Sequence, residues 1–412
     1  MRNLSQKFED SSWVVCQIGA REHYAIPRAL ELAGQDIRVY TDFWAGKKTF
    51  LPIPEKLCQR FNPDVKDEHV VSWNMSFLLL EFSFRFLERK RWATTIERNK
   101  WFANKVSQHL EKVLARTSTP PVVFAYSYAA REIFTVARSF GCPTVLGQID
   151  PGPVEMKLVE RLYREAGVPF DDQPPEEYLN SWRVECDLAD IVMVNSKWSF
   201  SALVQEGVPA FKMVEVPLAY ERQGGIPGVS LVPDMFTIVR PLRILFLGQI
   251  NLRKGILELA RAIELMEGRP VVWTIVGDGE KWLIEKLNKL PQTTVTGGVS
   301  RGEVERYYTD ADVFILPTHS DGYALTQLEA ASYGLPIIAS RFCGEVVAHD
   351  VNGIVLEDVT AVAIVKAVSQ LLDVPGKLAA LQKGMVEYEN YTIQDLAYDL
   401  GLIKNTIGSF RT

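Results

Sequence analysis

Two carboxylates and two cations carry the chemistry that this sequence offers. Asp321 and Glu329 bracket the run Asp321-Gly322-Tyr323-Ala324-Leu325-Thr326-Gln327-Leu328-Glu329, which follows the apolar stretch Val313–Leu316. A helix beginning near Ala324 places Glu329 about one and a half turns inside it and leaves Asp321 in the loop before it. From there Glu329 can accept two hydrogen bonds from a ribose diol, and Asp321 can reach sugar hydroxyls. The first-turn N–H groups around Leu325 and Thr326 can hold a phosphate. Each acid also has a structural use, Asp321 as an N-cap or Asx turn and Glu329 on a solvated helix face.

Arg253 and Lys254 stand in the run Leu245-Phe-Leu-Gly248-Gln-Ile-Asn-Leu-Arg253-Lys254-Gly255, between an apolar strand and a helical pattern. That position suits a pyrophosphate, with Arg as a fork and Lys as a point charge, although a solvated pair on an ordinary loop has the same spelling. Gly277-Asp278-Gly279 and Gly297-Gly298-Val299 follow the next two units, where glycine lets backbone approach a ligand or simply makes a tight turn. Ser300 and Glu303 have the spacing of a capping box.

The elements that position these residues are short, continuously apolar runs alternating with helical patterns. The expected strands are 13–18, 37–41, 122–125, 144–146, 191–194 and 214–216, then 242–247, 271–276, 313–316, 337–339 and 354–356. Continuous rather than alternating apolar character fits parallel strands buried on both faces. Ligands of such sheets sit at the carboxyl ends of the strands. The breaker-rich stretch starting at Gln223 reads as a linker.

The chain has 412 residues, 47% of them hydrophobic and 23% charged, which predicts two or three ordinary globular domains. A net charge of −6 gives no footprint for nucleic acid. The five cysteines are widely spaced without a CxxC, and the five histidines are scattered, so thiols read as reduced core fillers and no metal site is expected. No run reaches the roughly 20 apolar residues of a membrane span. One aromatic and basic segment, 72–101, departs from the α/β pattern. Trp73, Phe77, Leu80, Phe84 and Leu87 share a helical face that runs on into Arg89-Lys90-Arg91-Trp92. It reads either as a buried helix with a solvated basic end or as an amphipathic surface for a membrane or a lipid-linked substrate.

The Gly255 turn, the Gly277-Asp278-Gly279 turn and the Asp321…Glu329 segment, in this order, resemble the donor half of family-4 glycosyltransferases, clearest over 242–360. Leu188–Ser196 and Val214–Pro217 extend the likeness to the first half. The resemblance implies an α/β GT-B fold, two Rossmann-like doubly wound domains facing across a cleft. The expected units are 1–225 on the acceptor side, a linker at 226–241, a donor domain at 242–390 and a terminal helix at 391–412 that crosses back. It implies retaining transfer of a sugar from a nucleotide diphosphate sugar, UDP-, GDP- or ADP-linked, to a hydroxyl acceptor, with no cofactor and no metal.

By the same resemblance Glu329 binds the donor ribose, Asp321 the transferred sugar and Lys254 the diphosphate. Gly248, Arg253, Gly277, Gly298, Val299, Gly322, Tyr323, Ala324, Leu325 and Thr326 complete the donor site, and Arg253, Lys254 and Asp321 form the catalytic set. Gly19, Ala20, Arg21, Tyr126, Tyr128, Gln148 and Asp150 lie on the acceptor side. Asp321 is one methylene shorter than the family's usual glutamate, Gln249 replaces a frequent arginine, and the acceptor-domain histidines are replaced around Tyr126–Tyr128 and Gln148–Asp150. The expected location is cytoplasmic, with peripheral contact at a membrane's inner face through 72–92 as an option. A catalytically inactive nucleotide-binding protein with a regulatory or scaffold role is the alternative.

Overall fold

The computed structural model describes residues 11–46, 55–86, 91–221 and 232–410. Residues 223–231 of the expected linker, and residues 87–90 of the basic run, lie outside the described residues.

Two parallel sheets organise the chain. The first holds β1 (Trp13–Gln17), β2 (Ile37–Thr41), β3 (Val70–Ser72), β4 (Val122–Tyr126), β5 (Thr144–Gly147), β6 (Ile191–Val194) and β7 (Met213–Glu215), in the order β3-β2-β1-β4-β5-β6-β7. The second holds β8 (Leu242–Leu247), β9 (Val271–Val276), β10 (Thr293–Val295), β11 (Val313–Leu316), β12 (Ile337–Ser340) and β13 (Gly353–Leu356), in the order β10-β9-β8-β11-β12-β13. Central strands such as β1, β4 and β11 are buried at every position, because helices cover both faces of the sheet. Strand order reverses between β1 and β4 in the first sheet and between β8 and β11 in the second. Those reversals splay the loops at the strand ends and open a crevice in each half.

β3 and β10 are the two strands that periodicity does not find. Both are three-residue edge strands whose side chains are half-buried or exposed, so they carry no apolar run. The terminal helix Ile393–Phe410 lies against the first half, not the second. Ile393, Leu396, Leu400, Ile403 and Ile407 join the core that contains Trp13, Val15 and Ile37, and Lys404 Nζ donates to Gln35 Oε1 at 2.8 Å.

The aromatic segment corrects the expectation of one continuous helix. Ser72 ends β3, and two separate helices follow, Asn74–Phe86 and Arg91–Leu114. Phe77 and Phe84 are buried, with Phe77 against Phe43 and Trp101. Asn74 is tied to the Trp44 backbone by two hydrogen bonds at 2.8 and 3.0 Å, which fixes the start of the first helix. Met75, Leu79 and Phe82, on the opposite face, are exposed. No helix among the described residues is long and apolar enough to cross a membrane.

Candidate functional site

The loop after β8 and the loop after β11 meet at the reversal point of the second sheet. Asn251 caps a short 3-10 turn, Leu252–Lys254, by accepting from Lys254 N at 3.0 Å. Gly255 then adopts φ +71° and starts the helix Ile256–Leu265. A side chain there would collide with the Pro317 carbonyl, so the turn that presents Arg253 and Lys254 requires glycine. His319 N donates to Arg253 O at 2.8 Å and locks the two loops together.

Asp321 forms an ion pair with Lys254 and lies 3.8 Å from Arg253. Burial opposes its charge, yet the two cations hold its carboxyl below the usual range. It does not cap the following helix Leu325–Ser332, whose N-cap is Ala324 at φ +67°. Glu329 lies on that helix and accepts from the Tyr308 hydroxyl at 2.8 Å, which fixes the orientation of its carboxylate. A cavity of about 630 Å³ lies beside these loops, lined by Gly248, Gln249, Gly277, Asp278, Gly298 and Val299 among others. Asp321, Leu325, Thr326 and Glu329 are not part of its wall. Ser300 and Glu303 form the capping box that their spacing suggests, a structural role.

The first half brings its own groups to the same crevice. Tyr128 O–H, Gln148 Nε2 and Gly152 N all donate to Asp150 Oδ1, at 2.6, 2.9 and 2.9 Å. Burial raises the Asp150 carboxyl while these donors and Arg21 pull it back. Buried Glu185 accepts from the N–H groups of Tyr128, Ala130 and Arg131 at 2.6, 3.0 and 3.3 Å, which holds the loop that carries Tyr128. A cavity of about 200 Å³ is lined by Gln17, Arg21, Asn99, Ser127, Tyr128 and Asp150 among others. Gln17 and Ser127 belong to its wall, and their buried Oε1 and Oγ have no hydrogen-bond partner among the described residues.

Gly19 lies in the loop that follows β1. Its N–H donates to Asp42 Oδ1 at 2.9 Å, so it offers the cleft no free donor. Asp42 is buried and ion-paired to Arg60, whose guanidinium covers Gly19. Ala20 is half-buried and Arg21 exposed in the same loop.

Glu155 is the residue that sequence reasoning missed. It sits in the first turn of the helix Pro153–Ala166, accepts from Ser320 Oγ at 2.7 Å and lies 3.4 Å from Arg253. Burial pushes its carboxyl up to about 7 against the pull of Arg253. The available signal was an acid just after Pro151-Gly152-Pro153 at a strand end. Further contacts join the halves: Ser196 Oγ to Gly322 O at 2.7 Å and Trp198 Nε1 to Ser320 Oγ at 2.9 Å. Gly322 passes so close to the Ile149 carbonyl that a Cβ would not fit.

Backbone strain marks the same crevice. Among the described residues, seven non-glycine residues have positive φ. Five of them, Glu22, His23, Tyr24, Tyr128 and Ala324, follow β1, β4 or β11, the strands at the reversal points. Such conformations cost energy and persist where surrounding structure enforces them, which is common at functional sites.

Residues 241–374 match the family described as Glycosyl transferases group 1. The chain is similar over its whole length to sucrose-phosphate synthase from Thermosynechococcus elongatus, with a TM-score of 0.62, 15% identity, and coverage of 97% of this chain and 100% of that one. HepE from Anabaena in complex with UDP gives 0.58, 15%, 97% and 99%. The fold is GT-B. Among curated sequences, glycogen synthase of Mycobacterium tuberculosis is 29% identical over 144 residues, 33% of this chain and 35% of that enzyme. The chain matches about a third to a half of the length of the first such relatives. In GT-B terms, Arg253, Lys254, Asp321 and the glycine-walled cavity belong to the C-terminal half, and Asp150 and Glu155 face them from the N-terminal half.

Proposed function

We propose that this protein is a retaining glycosyltransferase that moves a sugar from a nucleotide diphosphate sugar to a hydroxyl acceptor. The observation that carries this reading is the site at the β8/β11 reversal: a glycine-walled cavity for a nucleoside, with Arg253 and Lys254 in the same loop. Similarity of residues 241–374 to group 1 glycosyl transferases supports it, as does the likeness of the fold to HepE, a protein whose structure holds UDP.

Loss of the nucleoside diphosphate leaves positive charge on the sugar ring and builds negative charge on the leaving phosphate. Arg253 and Lys254 stabilise that negative charge, in a crevice that both halves shield from water. Without donor, Asp321 neutralises Lys254, and Glu155 lies beside Arg253 and neutralises it once ionised. Donor binding exchanges those carboxylates for the diphosphate, which frees Asp321 to accept from the sugar hydroxyls. Glu329, oriented by Tyr308, holds the ribose. Asp150 faces the acceptor. The exposed face of Met75, Leu79 and Phe82 is the part of 72–92 available to a membrane, and flotation with anionic vesicles tests that contact.

The deciding experiment is a thermal shift with UDP, GDP, ADP and their sugars, followed by NMR of the product anomer. A ligand at 100 times its dissociation constant adds about 2.7 kcal/mol of stability. Stabilisation by one nucleotide series and a product with the donor's anomeric configuration are expected. No stabilisation by any nucleotide defeats the reading, and stabilisation without turnover leaves an inactive binding protein.

A further inference from the structure

The helix Arg91–Leu114 serves two cavities at once. Thr95, Arg98, Asn99 and Phe102 project into the small cavity that contains Asp150. Trp92, Ile96 and Lys100, with Glu97, Trp101 and Asn104 on the adjacent row, floor an open groove of about 1270 Å³. Residues three or four apart share a helix face, so the two rows lie side by side along one element. The groove's other wall comes from Asp171–Gln173, Pro175 and Glu177.

An aromatic path connects the two. Tyr128, whose hydroxyl is bonded to Asp150, stacks on Tyr178 with centroids 4.6 Å apart and planes 9° apart. Tyr178 in turn meets Trp92 edge-on at 5.0 Å. A further small cavity of about 30 Å³ shares Ile96 and Lys100 with the groove and Tyr128 and Tyr178 with the Asp150 cavity. Lys100 and Glu177, paired at 2.5 Å and both exposed, border it. An exposed pair of this kind is held only weakly, so it yields to a ligand.

We propose that the groove binds a glycan chain, and that the acceptor is an oligosaccharide whose terminal sugar reaches the Asp150 cavity while the preceding sugars lie along Tyr178, Trp92 and Trp101. This rests on the glycosyltransferase reading above. The chemistry selects a sugar chain. Sugar rings present an apolar C–H face that suits aromatic rings. Their hydroxyls suit the carboxylates and amides that alternate with those rings, among them Glu97, Asn104, Asp171 and Gln173. An acyl or prenyl chain would instead press hydrocarbon onto those charged groups, and leaving them without partners is costly. The small cavity, at about 200 Å³, is below the usual range of about 300–1,000 Å³ for whole-ligand pockets. It fits the end of a chain rather than the whole acceptor, and the residues Gln17 and Ser127 of its wall carry side-chain oxygens that have no hydrogen-bond partner among the described residues.

The test probes an array of linear glycans of one to six sugars with the full-length protein, beside vesicles carrying polyprenyl phosphate. Capture is expected to rise at least ~10-fold from one sugar to four, on the energy of one or two stacked rings. Trp92→Ala should abolish the rise. Asn104→Trp, at an exposed position that does not threaten folding, should do the same by filling the groove, and Trp92→Phe should restore most of it. Capture that ignores chain length, length dependence that survives both blocking variants, capture by the vesicles alone, or no glycan binding at all each overturns the proposal. Nucleotide-induced thermal shift is measured on the same samples. Its absence overturns the donor reading, while the array still decides the groove.

Discussion

The two sheets reverse strand order in the same way, yet they build opposite kinds of site at the reversal. In the C-terminal half, backbone and two cations form the site: Gly248, Gly277 and Gly298 line the cavity, and Arg253 and Lys254 project from a capped turn. In the N-terminal half, side chains form it: Gln17, Ser127, Tyr128 and Asp150 come from the ends of three strands, and Asn99 from a helix. One topology thus yields a site walled by close-packed glycine backbone beside two cations, which we read as the diphosphate side, and a site walled by polar side chains, which we read as the hydroxyl side. Asp321 pairs with Lys254 inside the C-terminal half, while Glu155 reaches Arg253 from the N-terminal half and so links the two sites.

The sharpest break of this comparison is at Lys254. Lys254→Ala should lower turnover by about 10²–10³-fold, the usual cost of removing a group that stabilises developing charge. It should weaken nucleoside diphosphate binding far more than nucleoside binding. It also strips Asp321 of its nearest partner, leaving a buried carboxylate supported mainly by Arg253, so thermal stability should fall as well. Equal weakening of nucleoside and nucleoside diphosphate would show that the C-terminal site does not read anions through this turn. Glu329→Gln keeps shape but loses charge-assisted acceptance, and donor affinity should drop by roughly 10- to 100-fold.

A smaller and opposite effect is expected across the crevice. Asp150→Asn retains shape and most contacts to Tyr128, Gln148 and Gly152. It should leave nucleotide-induced thermal stabilisation unchanged and lower kcat/KM for the acceptor by about 10-fold, one charged hydrogen bond's worth. A loss of donor binding in this variant would mean that the halves do not divide the substrates as their chemistry suggests.

The same contrast explains what the sequence disclosed. Gly255 is forced by a carbonyl that leaves no room for a Cβ, and such backbone demands write a fixed spelling into one continuous segment. The central strands were legible for a similar reason, since burial on both faces leaves an uninterrupted apolar run. β3 and β10 were not, because edge strands lack that burial. Glu155 was invisible as a partner of Arg253, since a pairing across 98 positions of chain leaves no local pattern. Gly19 is placed on the acceptor side by its position after the first strand, and only the structure shows its N–H committed to Asp42.

The smallest effect sharpens the comparison most, because Glu155 belongs to one half and acts on the other. Its carboxyl is raised to about 7 by burial, from an ordinary value of 4.5. A raised acid favours the protonated folded state, so its contribution to stability is intact below about 4.5 and is lost as pH rises through about 7. The Tm of wild type should therefore fall relative to Glu155→Gln between pH 5 and pH 8. Ligand binding follows the same proton. At pH 6 most Glu155 is neutral and Arg253 is available to a diphosphate; at pH 8 the ionised carboxylate competes for it. Affinity for a nucleotide diphosphate sugar, whose diphosphate does not titrate in this window, should weaken by a few-fold from pH 6 to pH 8. Glu22 and Glu185 are also raised to about 7 by burial, so the wild-type curve alone does not assign the effect. The difference from Glu155→Gln does: the variant should bind the sugar nucleotide more tightly at pH 8 and show a flatter profile. Parallel profiles in the two proteins would mean that Glu155 only fastens the halves together and does not compete for the cation that the donor needs.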